Sequence, residues 1–327
     1  MFFFEHISLE AWAFWLVLLI GLMVGNEVSR RSKIGGITFF IIIPIILTIF
    51  VWPHTAVDGS GAGNWFQHIK AYSALAGCIG FMAIRYIPKL QHNKIALCFP
   101  PLILAINIIE AVVRDFEISS FNGIYDGMLI VGGSWNIING IAGILNILTI
   151  TGWFGIVISK KKSQDMVWPD MLWFWIIAYD LWNIAYVYNA AGDRAFYSIA
   201  LLLAPTILAF VVNKGAWLQN RASTLALHAL MLMSVPSLFF DYFPVLSTHD
   251  PVAHMTISCI ALAANVGVAA YEVYTIKKTH RNPLKEDLYV DNRFFKSALR
   301  EAGYLPEQND EQTAVSVSGG EMKTQSA

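Results

Sequence analysis

Apolar residues run along this chain in blocks rather than in stripes. Nine blocks, at roughly 9–25, 35–52, 66–87, 95–113, 135–159, 170–190, 194–213, 221–240 and 252–276, read as membrane-spanning helices. Each has close to the ~20 mostly apolar residues that a helix needs to cross the hydrocarbon core. The pattern predicts an all-α fold, a polytopic transmembrane bundle of about nine spans. The first block is short. The stretch "DGMLIVGGSW" before the fifth is apolar but rich in glycine, and reads as a re-entrant or interfacial turn. On this reading residues 1–281 form the bundle and 282–327 a polar cytoplasmic tail. Within the tail, "KEDLYVDNRFFKSALREAGYL" is expected to form a short surface helix. The last residues, "EQNDEQTAVSVSGGEMKTQSA", bury too little apolar surface to offset their ordering entropy and are expected to be disordered.

Basic residues orient the bundle, because cytoplasmic loops carry the excess of Lys and Arg. One alternating set of loops holds Arg30, Arg31, Lys33, Arg85, Lys89, Lys94, Lys160–Lys162, Lys214, Arg221, Lys277, Lys278 and Arg281. The opposite set holds Arg114 and Arg194. The N-terminus is therefore expected outside and the C-terminus in the cytoplasm. The opening "MFFFEHISLEAW" has no basic segment and no small-residue cleavage motif, so no cleavable signal peptide is expected.

Polar side chains inside apolar blocks mark the candidate chemistry, since such residues usually face the bundle interior or a wet cavity. In "AYDLWNIAYVYN", Asp180 and Asn183 lie three residues apart on one helical face. The fifth block places Asn136, Asn139 and Asn146 on one stripe with Gly143. Asn265 is the deepest polar residue of the ninth block, and His228 sits in the middle of the eighth. Lys70 and Glu110 lie at matched depth in the third and fourth blocks, as an intramembrane ion pair would. Each stripe has a plainer explanation as hydrogen bonding between helices. Pro44, Pro205 and Pro236, within the second, seventh and eighth blocks, bend or interrupt helices, as does the pair Pro100–Pro101.

Composition narrows the classes. Of the 327 residues 56% are hydrophobic and only 14% charged, against about a quarter charged in soluble domains. Cys78, Cys98 and Cys259 all fall in apolar stretches and read as buried, reduced thiols. No nucleotide-binding loop, zinc-ligand spacing or intramembrane protease motif is present, so no cofactor or metal is expected. The lysines and arginines are accounted for by topology, which leaves no patch for nucleic acid. The loops are too short for a soluble catalytic domain.

The stretches "NEVSRRSK", "YDLWNIAYVYN" and "GAWLQNRASTLAL" resemble those of an uncharacterised family of bacterial polytopic membrane proteins. The resemblance implies a bacterial inner-membrane setting and carries no activity. The expectation from the residues is a secondary transporter or permease for a small polar solute or ion, with the lipid bilayer as its other partner. Asp180, Asn183 and the amides of the fifth block would line the site, and Asp180 would couple to H+ or Na+. One alternative is a membrane-embedded enzyme on a lipid, using an outer cluster of Lys70, Glu110, Arg114, Asp115 and Asp126. Another is a sensory or scaffold protein working through its tail.

Overall fold

The computed structural model describes residues 2–306. Among them one helix falls on each apolar block: α1 (Leu9–Arg31), α2 (Lys33–Phe50), α3 (Trp65–Tyr86), α4 (Lys94–Ile118), α5 (Ser134–Leu148), α6 (Trp173–Ala190), α7 (Gly192–Val211), α8 (Trp217–Ser234) and α9 (Pro251–Thr279). A shorter helix, α10 (Arg293–Glu301), follows. Five of these, α1, α2, α4, α7 and α9, are long and apolar enough to cross a membrane. α3, α6 and α8 carry more polar side chains, and together with α4 and α7 they wall the central cavity.

Helix ends follow local chemistry. The side chains of Ser8, Asn64 and Asp250 accept from backbone N–H groups at the starts of α1, α3 and α9, satisfying donors that the first turn leaves over. Pro44 has no N–H to donate, and the turn before it widens into a π-helix at Thr38–Ile42. Pro205 lies within α7. Pro236, expected inside the eighth span, instead follows the end of α8 at Ser234.

The chain is mostly helical, but two small hairpins depart from the all-α expectation. The stretch read as a re-entrant turn is a hairpin of β1 (Asn122–Tyr125) and β2 (Met128–Val131), with Tyr125 opposite Met128. Its two-residue turn is Asp126-Gly127, both at positive φ (49° and 76°). That is the backbone twist that suits a tight hairpin, and Asp-Gly is among its favoured sequences. The Asp126 carboxylate accepts from the N–H of Gly59 and from the N–H and side-chain amide of Asn64, tying the hairpin to the start of α3.

The second departure concerns the fifth block. The apolar block runs to residue 159, but α5 stops at Leu148. Residues 149–172 fold across the end of the bundle, including a short hairpin of β3 (Val157–Ile158) and β4 (Met166–Val167). Ile150, Ile156, Met166 and Trp168 are buried there, so their apolarity serves packing on the bundle end rather than exposure to lipid.

The exterior is apolar. Val17 and Ile20 on α1, Ile45 and Ile49 on α2, Ile109 and Val113 on α4, and Val266 and Val273 on α9 face outward. The asparagines Asn26, Asn136, Asn139, Asn146, Asn220 and Asn265 are buried. Apolar outside and polar inside is the arrangement a hydrocarbon solvent favours, where backbone and side-chain polar groups must be satisfied within the protein. Cys78 is buried, but Cys98 is half-buried and Cys259 lies exposed on the outer face of α9; burial of all three thiols was therefore an overstatement.

Two aspartates anchor what covers the end formed by residues 149–172. Asp165 takes Arg30 Nη1 at 2.6 Å and Gln219 Nε2 at 3.0 Å, joining the loop to α1 and α8. Asp170 accepts from the N–H groups of Leu288 and Tyr289 at 3.0 and 2.7 Å, fixing the segment that leads into α10. The expected surface helix is α10, and its Phe295 and Ala298 are buried. The residues expected to be disordered, from 307 onward, lie outside the described residues.

Asp287 sits beside Asp170, its carboxyl pushed up to about 6, first by burial and then by that neighbouring carboxylate. A raised carboxyl favours the packed state when protonated. Its contribution is fully present below the ordinary aspartate range and is lost as pH rises through about 6. The segment 282–306 is therefore expected to resist limited proteolysis at pH 5 and to be cut faster at pH 8. Equal rates at the two pH values would contradict this.

Candidate central cavity

Five helices each present one face to a cavity of about 90 Å³. Asn107, Ala111 and Arg114 on α4 are spaced i, i+4, i+7. So are Tyr179, Asn183 and Tyr186 on α6, Arg194, Ser198 and Leu201 on α7, and Arg221, Leu225 and His228 on α8. α3 adds Phe66 and Lys70, and the first hairpin adds Tyr125 and Met128 at one end. This spacing is that of a single helix face. At roughly 10–15 Å³ per water, the space holds several water molecules or a small solute.

The lining contains four cations and no carboxylate. Lys70 Nζ is 3.0 Å from Glu110 Oε2 and also donates to the carbonyl of Asn107, so the ion pair expected between the third and fourth blocks is formed. Arg114 pairs with Glu117 at 2.8 Å and lies over the Tyr125 ring. Arg194 Nη1 donates to Gln67 Oε1 at 2.9 Å. Arg221 is 5% exposed, and its Nε and Nη1 have no hydrogen-bond acceptor among the described residues. His228 Nε2 is likewise buried without a partner. Glu110, Asp126 and Asp180 stand outside the lining, so the cavity surface is more positive than the bundle as a whole.

Of the residues singled out from sequence, Asn183 and His228 line this space. The others meet different partners. Asp180 Oδ2 accepts from Thr206 Oγ1 at 2.7 Å, and Thr206 accepts in turn from Trp217 Nε1. Asn136 and Asn139 both donate to Asp115, at 3.0 and 2.8 Å. Asn265 donates to the carbonyls of Ala178 and Ala261. Asn146 is buried without a partner for either amide atom. The polar stripes turn inward but meet pairwise, α5 with α4 and α9 with α6, rather than around one centre. The outer cluster expected for a lipid enzyme assembles only in part. Lys70, with its partner Glu110, and Arg114 meet at the cavity, whereas Asp115 is fully buried against the two asparagines of α5 and Asp126 is held by Gly59 and Asn64.

Sequence reading missed two of these arginines. Arg194 and Arg221 read only as loop residues that set topology, whereas Arg114 also reads as a member of the candidate outer cluster; all three line the cavity. Arg30 and Arg85, also counted as loop residues, are buried. The legible signal was periodicity: Asn107 with Arg114, and Arg221 with His228, seven residues apart on apolar helices.

Residues 5–301 match the family described as "Family of unknown function (DUF5692)". No curated protein and no solved structure matches the chain.

Proposed function

We propose a function from the premise that this chain belongs to the DUF5692 family, a family of unknown function, so that the reading rests on the chain's own residues. The protein is a multi-pass membrane protein of nine spans, N-terminus outside, in a bacterial inner membrane. It is a secondary transporter for a small polar solute or ion. The observation that supports this is a polar cavity walled by one face of each of five helices inside an apolar exterior. Binding sites of bundle transporters lie between helices in this way. With the buried Arg30, Arg85, Arg114, Arg194 and Arg221 set aside, Arg31, Lys33, Lys89, Lys94, Lys160–Lys162, Lys214, Lys277, Lys278 and Arg281 all belong to the loop set assigned to the cytoplasm, which strengthens that orientation.

Asn183 is the proposed solute ligand. Asp180, one turn away on the same helix and with Oδ1 unpartnered among the described residues, is the proposed coupling carboxylate for H+ or Na+. In proteoliposomes, gradient-driven uptake is expected to lose its dependence on pH or Na+ in Asp180→Asn. Asn183→Leu is expected to weaken uptake about tenfold, the worth of one hydrogen bond of about 1.4 kcal/mol. If both variants took up solute as the native chain does under every gradient, the transporter reading would fail.

A further inference from the structure

We infer that the ligand of the central cavity is a small anion presenting carboxylate or phosphate-type oxygens, with Arg221 as its principal contact. The inference rests on the cavity being a solute site, and it names the class of that solute. Four cationic side chains line the space and every nearby carboxylate stands outside the lining. Three of the cations have partners: Lys70 has Glu110, Arg114 has Glu117 and Arg194 has Gln67. Arg221 has none of this kind. It is 95% buried by its 5% exposure, and two of its nitrogens lack any acceptor among the described residues. The Tyr179 ring lies 5.9 Å from its guanidinium carbon.

A buried guanidinium without an acceptor is costly. Asp180 lies within electrostatic reach of it, but one oxygen of that carboxylate is already taken by Thr206, and no ion pair within 4.0 Å joins the two. An anion in the cavity supplies the missing acceptors. The planar guanidinium fork matches a carboxylate or phosphate in two parallel hydrogen bonds. His228, two turns along α8, and Asn183, facing it from α6, add polar contacts along the same wall. The volume of about 90 Å³ admits a compact anion of few heavy atoms.

The test uses the purified full chain in detergent and then in proteoliposomes. Inorganic phosphate, sulfate and acetate serve as anionic probes, and ammonium and glycerol as cationic and neutral ones. At least one anion is expected to raise the melting temperature, with apparent affinity falling at least about tenfold in Arg221→Gln and partly restored in Arg221→Lys. Without anion, Arg221→Gln is expected to melt at or above the native temperature, because it removes an unpaired buried charge. A merely structural arginine would give the opposite result. The inference is overturned if no anion shifts the melt, if the shift survives Arg221→Gln unchanged, or if only ammonium or glycerol acts. Uptake separates the two readings. Anion binding that depends on Arg221 without flux supports the anion site and overturns the transporter. Flux of glycerol or ammonium without anion binding does the reverse.

Discussion

Asp165→Ala is expected to destabilise the protein more than any other single substitution at the loop-covered end. The Asp165 carboxylate accepts from Arg30 Nη1 at 2.6 Å, from Gln219 Nε2 at 3.0 Å and from Ser163 Oγ at 2.7 Å, with Arg85 Nη2 at 3.9 Å. Arg30, Arg85 and Asp165 are each at most 7% exposed. Removing the anion leaves the buried Arg30 guanidinium with Glu27 and the buried Arg85 guanidinium with backbone carbonyls. Removing one partner of a buried ion pair costs about 3–5 kcal/mol, which lowers the melting temperature on the order of 10 °C. Tryptophan fluorescence during a thermal ramp in detergent measures it. Asp165→Asn keeps an acceptor for Gln219 and is expected to fall between alanine and the native chain. A shift of less than a degree or two in the alanine variant would show that the loop is not held through this residue.

Trp182→Ala is expected to cost about as much by a different mechanism. Trp182 is fully buried at the junction of α4, α5 and α6. Its ring lies between Tyr179 and Tyr186, at centroid distances of 5.5 and 6.2 Å, and its Nε1 donates to the Asn139 carbonyl at 3.1 Å. Gly143 makes the room: a Cβ there would sit 2.7 Å from that nitrogen and 2.5 Å from Val112. Truncating a buried tryptophan costs about 3–5 kcal/mol through lost contacts and the cavity left behind. Tyr179 and Tyr186 also line the central cavity, so the same variant is expected to weaken ligand binding along with stability. Trp182→Phe keeps most of the packing but drops the indole donor, and should recover most of the melting temperature. Native-like melting in the alanine variant would contradict the packing account.

The resemblance in sequence and the family match agree on an uncharacterised family. The apolar blocks were legible because hydrophobicity along a helix is a local property: nine blocks became nine helices among the described residues. Block ends were less legible. Ile150, Ile156 and Trp168 are as apolar as the residues of the long helices but pack on the end of the bundle, and composition alone does not separate a protein surrounding from a lipid one. The first hairpin had a readable signal in Asp126-Gly127 between the short apolar runs Ile124-Tyr125 and Met128–Val131, outweighed there by the glycines around it.

The candidate site was half legible. That polar residues inside apolar helices turn inward followed from the sequence, because exposing Asn136, Asn139 or Asn265 to hydrocarbon costs more than pairing it within the protein. Which of them meet was decided by helix packing. α5 faces α4, so its amides reach Asp115; α6 turns Asn183 and two tyrosines toward α8, so His228 and Arg221 share their space. The sequence by itself determined an oily exterior, a polar interior and where the helices run. The tertiary structure alone decided that arginines placed near helix ends point into the interior, because their direction depends on the rotation of each helix against its neighbours, which no single block encodes.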